Sequence, residues 1–308
     1  MQENKFLSEM RQIKSEFTSL ADDLEKVLHP TFHKPYSWDF EGNDQANSLE
    51  SGSLKKDFFD MVKEKLNSFI HRSRLSRYQE LRSDLSKRRY IAEGDSWFQH
   101  PMVDDVVDYL LDDGYAVCCF SAAGDTLADM ALDGEFLHAV EFERPRLFLL
   151  SGGGNDLLEP RSLRALLDPA SPHQVNQNAL DSKLGLLAQS IESILFLLQD
   201  KNPDLPLLMH GYDYIIPRKD PVFSWVYPVM LEKGIQESAT QAESVAYILD
   251  AYNTLLSSLE SKFPGKFYYL DLRGSVLPGG WYDEIHPNEQ SFKIITEKFK
   301  TKIAALLD

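Results

Sequence analysis

From the N-terminus, apolar side chains recur every three or four positions: Phe6, Met10, Ile13, Phe17, Leu20 and Leu24 share one stripe of a helix predicted over residues 4–28, closed by His29-Pro30. Residues 31–53 are rich in turn formers and polar groups. A second helical stripe runs from Leu54 through Phe58, Met61, Val62, Leu66 and Ile70 toward Leu85. The pattern changes at Tyr90. Short apolar runs now alternate with helical stretches, and Tyr90–Ala92, Ala116–Phe120, Leu147–Leu150, Leu207–His210 and Phe267–Leu270 are the predicted strands. Helices are placed between them at 101–113, 125–132, 178–200 and 238–263. Five strands joined by helical connections predict an α/β fold: a parallel sheet with helices on both faces, preceded by a helical N-terminal extension. The boundary falls between residues 87 and 88, dividing an extension over 1–87 from a main domain over 88–308.

A chain of 308 residues with 43% apolar content can bury a large core. Its net charge of −16 speaks against a nucleic-acid partner, because binding phosphates needs clustered Lys and Arg. The two cysteines, Cys118 and Cys119, are neighbours on a predicted strand and point to opposite faces, which disfavours an ordinary disulfide. The first residues lack the basic-then-apolar layout of a signal peptide, and no apolar run reaches the ~18 residues of a membrane span, so a cytoplasmic location is expected. One stretch departs from the acidic whole. His71 to Tyr90 carries Arg72, Arg74, Arg77, Arg82, Lys87, Arg88 and Arg89 against Glu80 and Asp84. Pairing with the acidic main domain is the favoured reading of this segment; contact with an anionic membrane is the less favoured one. The apolar stripes of the extension need a covering surface, which oligomerisation, a partner or the main domain itself would supply.

Chemistry concentrates at the strand ends. Gly94-Asp95-Ser96-Trp97 follows the first strand, where a serine on a tight turn can hold its hydroxyl at the open edge of a parallel sheet. Downstream, Asp283-Glu284-Ile285-His286 sets a carboxylate and an imidazole three residues apart. An alcohol needs a base to become a nucleophile near neutral pH, and His286 is the candidate base for Ser96. Asp283 would hold the imidazole tautomer, provided that Asp283 to His286 forms a turn. Attack on a carbonyl develops negative charge on oxygen. The candidate donors for that oxyanion hole are the backbone N–H of Ser96, Gly124 in Ser121-Ala122-Ala123-Gly124-Asp125-Thr126, and the side-chain amide of Asn155 in Gly153-Gly154-Asn155-Asp156. Asp95 and Asp156 are expected to fix the backbone of their motifs.

These four ordered motifs resemble those of the SGNH, or GDSL, hydrolases, and the resemblance covers roughly residues 88 to 308. It implies a flavodoxin-like three-layer α/β/α fold, a Ser96–His286–Asp283 triad with an acyl-enzyme intermediate, and hydrolysis of an ester without metal or other cofactor. The substrate would be a small-molecule or lipid ester, so that a phospholipase or lipase, or an effector gated by its N-terminal helices, are the alternatives to a plain esterase. Trp97 stands where that family commonly has leucine, and the N-terminal extension has no counterpart in its minimal fold.

The aromatic segment Gly211-Tyr212-Asp213-Tyr214-Ile215-Ile216-Pro217, continuing to Phe223-Ser224-Trp225, follows the fourth strand and should overhang the same rim. Tyr212, Tyr214 and Trp225 are therefore substrate-pocket candidates, together with Trp97, His100 and His210. Gly152-Gly153-Gly154 lacks the spacing and the lysine of a phosphate loop. His29 and His33 are four apart, but Pro30 interrupts the turn and no acid completes a metal site.

Overall fold

The computed structural model describes residues 28–30, 40–42, 70–100, 102–219 and 224–307. The chain divides into two compact units, Met1–Glu64 and Lys65–Asp308. In the first, Leu28–Pro30 (β1) and Phe40–Gly42 (β2) pair antiparallel. Strand thus replaces turn at 40–42, and Leu28 is strand rather than the last residue of a helix. The rest of the helix expected over 4–28, and the stripe from Leu54 to Leu66, lie outside the described residues.

The second unit opens with a helix whose described part covers residues 70–82 (α1). There follow Arg89–Gly94 (β3), Val106–Asp112 (α2), Ala116–Cys119 (β4), Leu127–Asp133 (α3), Leu137–Glu143 (α4) and Leu147–Ser151 (β5). Gly154–Leu158 (α5), Pro160–Leu166 (α6), Gln177–Lys201 (α7), Leu207–His210 (β6), Val226–Glu232 (α8), Ser238–Lys262 (α9), Phe267–Leu270 (β7) and Glu289–Leu307 (α10) complete it. The five strands form one parallel sheet in the order β4-β3-β5-β6-β7. This is the flavodoxin-like order, in which β3 has β4 on one side and β5 on the other, and the chain changes direction across the sheet at that point. In open α/β sheets the carboxyl ends of the strands at such a point are where ligands bind.

Four of the five strands are buried along almost their whole length, and all are apolar on consecutive residues, as a sheet covered on both faces requires. On one side α2 and α10 pack on each other and against β4 and β7; α3, α4 and α9 pack around the long α7. Phe292, Ile295, Phe299 and Ile303 make the buried stripe of α10, a helix that the strand-by-strand reading does not anticipate. Side-chain caps start α2 and α3: Asp105 and Thr126 each accept a backbone N–H of the first turn and are reciprocated by Asp108 and Asp129.

Helix α1 belongs to this second unit, whereas the sequence pattern places the boundary after it. The reason is the buried guanidinium of Arg74, which pairs with Asp105 and Asp108 at 2.6 Å each. Four other cations of the basic segment are also committed to the acidic domain. Arg77 pairs with Asp112, and Arg82 and Arg89 meet Glu143 at 3.1 and 3.3 Å. Lys87 Nζ donates to the carbonyl of Gly114 at 2.8 Å. No helix among the described residues is long and apolar enough to cross a membrane.

Candidate active site

Strand β3 ends in Gly94, and the chain turns sharply. The Asp95 N–H donates to the Ser151 carbonyl on β5 at 3.2 Å, while Phe98 and Gln99 N–H both return to the Asp95 carbonyl at 3.0 Å. Ser96 is thereby lifted over the sheet edge. Glycine is needed at 94 because a Cβ there would lie 2.7 Å from Ser151 Cβ and 2.8 Å from its carbonyl oxygen. The Asp95 carboxylate holds the turn as expected: one oxygen accepts from Trp97 N–H at 3.1 Å and Ser151 Oγ at 2.6 Å, and the other accepts from the Tyr212 hydroxyl.

Ser96 Oγ lies 2.7 Å from His286 Nε2, and His286 Nδ1 lies 2.7 Å from Asp283 Oδ2. The three-residue separation is closed by a turn in which Asp283 Oδ1 accepts the N–H groups of Ile285 (2.9 Å) and His286 (2.7 Å). All three side chains are buried. An Nδ1–H aimed at a carboxylate leaves the Nε2 lone pair for the serine hydroxyl, the polarity that general-base work requires.

This loop has little regular structure of its own and is held by acceptors. The Glu284 carboxylate collects four backbone N–H groups, from Arg218 (3.1 Å), Trp225, Val226 (2.9 Å) and Tyr227 (2.7 Å), and so ties the loop to the start of α8. Burial pushes the Glu284 carboxyl up to about 7, and the four donors oppose that rise. Trp97 Nε1 donates to the Ile285 carbonyl at 3.1 Å, joining the two motifs directly.

His100 stands edge-on to His286, with ring centroids 4.5 Å apart. Its Nδ1 accepts the N–H groups of Met102 and Val103, both at 3.1 Å, so in the neutral ring the proton is on Nε2. That Nε2 is buried without a hydrogen-bond partner. Burial, and next the neighbouring His286, hold His100 well below the ordinary histidine range. His100, Asp283 and His286 bring potential ligand atoms within 4.8 Å of one another. The set does not fit a metal ion, because the His100 lone pair is taken by two amides and both His286 nitrogens are engaged.

At the rim beside Ser96, Gly124 adopts φ +100, and Ala122 N–H donates to the Gly94 carbonyl at 2.9 Å, which fastens that loop to the serine turn. Asn155 opens α5 after β5, and its Nδ2 donates one hydrogen to the Asp125 carbonyl at 2.7 Å, leaving a second on the amide. Asp156 accepts the Leu127 N–H at 3.1 Å, and burial pushes its carboxyl up to about 6.

The pocket candidates separate into two groups. Trp225 and His100 flank the His286 ring, at 5.6 and 4.5 Å between centroids. Trp97, His210 and Tyr212 are instead packed in the core: Trp97 stacks on His210 at 5.4 Å, Tyr212 meets Trp97 edge-on at 5.1 Å, and His210 Nε2 lies 2.8 Å from Ser151 Oγ. With exposures of 3%, 0% and 2%, these three support the serine turn rather than line an opening. Tyr214 turns to the outside, where its hydroxyl donates to Asp250 at 2.7 Å. The pattern of aromatics alone cannot separate these fates, since Tyr212 and Tyr214 lie beyond the end of β6 in a segment with no regular period to set their direction. Glu284 and Ser151 carry no periodic signal and emerge only with the coordinates.

No protein-family model and no curated protein matches the chain. Solved structures do. A lipase from a goat-rumen metagenome superposes with a TM-score of 0.50 at 14% identity, over 70% of this chain and 97% of the lipase. Phospholipase A1 from Streptomyces albidoflavus NA297 gives 0.49 at 14% identity, over 70% and 99% of the two chains. An extracellular lipase from Streptomyces rimosus gives 0.46 at 12%, over 70% and 99%. At these identities the likeness to the first is one of fold: the second unit shares its α/β architecture, and the strand order of the sheet is the flavodoxin-like one.

Proposed function

We propose that residues 88–308 form the catalytic domain of a serine ester hydrolase, with Ser96 as nucleophile, His286 as general base and acid, and Asp283 as the group that orients His286. The observation that carries this reading is the pair of 2.7 Å contacts that aligns the three side chains at the sheet edge. As Ser96 Oγ attacks the ester carbonyl, its proton passes to His286 Nε2, and the imidazolium is stabilised by the Asp283 carboxylate. The carbonyl oxygen becomes an anion, for which the N–H groups of Ser96 and Gly124 and the second amide hydrogen of Asn155 serve as donors. Collapse expels the alcohol with the proton from His286. Water, deprotonated by the same imidazole, then cleaves the acyl-enzyme and releases the acid.

The substrate is a small-molecule or lipid ester whose reacting group meets the Ser96–His286 pair on the side of Trp225. A soluble ester is favoured over a membrane lipid, because Arg74, Arg77, Arg82 and Arg89, which an anionic surface would attract, already face carboxylates. Labelling with a fluorophosphonate followed by peptide mapping tests the nucleophile without assuming a substrate. Label on the peptide containing Ser96, abolished in Ser96→Ala together with turnover of p-nitrophenyl esters, is the expected result; equal turnover by both proteins rejects the reading.

A further inference from the structure

We propose that Arg74, on the helix that precedes every catalytic motif, is a positioning residue for His286 and acts through Asp105 and His100. The inference rests on the proposed role of His286 and adds to it a residue outside the sequence motifs. Arg74 is 3% exposed and uses its guanidinium fork in three directions. Nη1 donates to the Phe98 carbonyl at 2.6 Å, two residues beyond Ser96. Nη2 donates to Asp105 Oδ2 at 2.6 Å, and Nε and Nη2 grip the two oxygens of Asp108 at 3.0 and 2.6 Å.

Asp105 passes the constraint on. The oxygen that receives Arg74 also accepts the His100 N–H at 2.8 Å, while its other oxygen accepts from Val107 at the start of α2. The backbone of His100 is thus pinned to a charged pair, and its ring is set by the two amides bonded to Nδ1. That ring fills one side of His286, with Tyr282 edge-on behind it at 5.4 Å between centroids. A neutral N–H held in the dry interior without an acceptor is a costly arrangement that a free loop would relax. It persists because the loop is anchored at both ends, at Phe98 and Asp105, by one guanidinium. The consequence is that His286 finds a fixed wall where the hydrogen bonds to Ser96 and Asp283 leave rotation and drift out of the ring plane unopposed.

Only a guanidinium can span the three acceptors, so Arg74→Lys keeps the charge and loses the bridge. The experiment compares the full chain with Arg74→Lys, Arg74→Met, His100→Phe and both Arg74 variants combined with His100→Phe. Each is titrated with a fluorophosphonate, so that kcat on a p-nitrophenyl ester is expressed per reactive serine and any unfolded fraction is removed. Expected are a fall in kcat of about tenfold for Arg74→Lys with KM within twofold, a similar fall for His100→Phe, and a double variant no slower than His100→Phe alone. Arg82→Met, which breaks a partly exposed pair on the same helix, should leave kcat unchanged.

Unchanged kcat per serine in Arg74→Lys would overturn the inference, as would losses that simply multiply in the double variant. Should Arg74→Met fail to fold, the lysine variants still decide between these outcomes. Failure of the wild type to label at Ser96 would instead strike the proposed function, which keeps the two results distinct.

Discussion

The serine turn and the histidine loop meet in one hydrogen bond, yet they are built in opposite ways. Gly94 to Gln99 is an extension of the sheet: its geometry follows from β3 lying against β5, from the closeness of Gly94 to Ser151, and from two amides returning to the Asp95 carbonyl. Asp283 to His286 lies between β7 and α10 with only an isolated bridge from Trp281 to Pro287 for regular pairing. Its shape comes from carboxylates that gather amides, two on Asp283 and four on Glu284. The serine is thus placed by backbone packing, which tolerates little, while the histidine is placed by side-chain acceptors, which can be altered one at a time.

The largest effect should follow from adding one carbon where backbone packing rules. Gly94→Ala must push β3 from β5, and a displacement near 1 Å at Ser96 is enough to lower kcat/KM by about 10²-fold or more. Ester turnover, with thermal melting as the companion measurement, checks this; near-normal turnover would mean that the sheet yields and that the two regions are less different than drawn.

Glu284→Gln probes the other construction. The amide offers one acceptor oxygen and turns an NH2 toward amide donors, so a loss of about 1–3 kcal/mol and a roughly tenfold lower kcat are expected. A variant that melts and turns over like the wild type would show that the loop is held by something other than its carboxylates.

A third substitution sets the two buried acids of these regions side by side. Glu93, on β3, receives only the Gly94 N–H at 2.8 Å, and burial pushes its carboxyl up to about 8, with Asp125, Glu135 and Asp133 adding to the rise. The folded protein then keeps a proton that the unfolded chain releases near 4.5, so this group's contribution to stability is full below that pH and is lost as pH rises toward 8. Glu93→Gln should be near neutral at pH 4.5 and increasingly stabilising relative to wild type above it, by up to about 1.4 kcal/mol per pH unit. Urea melts across that range measure it, and parallel curves for the two proteins would contradict the account.

The smallest change cuts the bond between the regions. Trp97→Phe keeps an aromatic ring but loses the N–H to Ile285 and part of the buried indole's volume, for about 1–2 kcal/mol of stability and a few-fold loss of kcat. An effect as large as that of Glu284→Gln would make the serine turn, and not the acidic clamp, the main support of the histidine loop.

Much of this was legible in the residues. Every strand of the sheet lies within two residues of its apolar run, because consecutive apolar positions of that length bounded by turns suit few other structures. The helices expected over 125–132, 178–200 and 238–263 are matched within two residues, whereas the one expected over 101–113 is confined to Val106–Asp112, because Asp105 caps its start. The short α4, α5, α6 and α8 and the C-terminal α10 are not anticipated; α5 has only five residues, and α4, α6 and α8, at seven, are no longer than α2 and α3, so local period alone does not separate the short helices that are legible from those that are not. In the site, Ser96, Asp283 and His286 could be named from local motifs, since each sits at the end of a recognisable element.

What needed the fold was any role set by contact across the chain. Trp97, His210 and Tyr212 read as pocket aromatics until their positions beneath the serine turn were known, and Arg74 read as one cation in a basic stretch until Asp105 and Phe98 were found around it. The order of polar and apolar residues determines which segments become strands and helices, because that choice depends on neighbours three or four positions away. Which side chains meet at the carboxyl edge of the sheet, and which are sealed beneath it, depends on partners 24 to 190 residues distant, and only the packed chain brings these together.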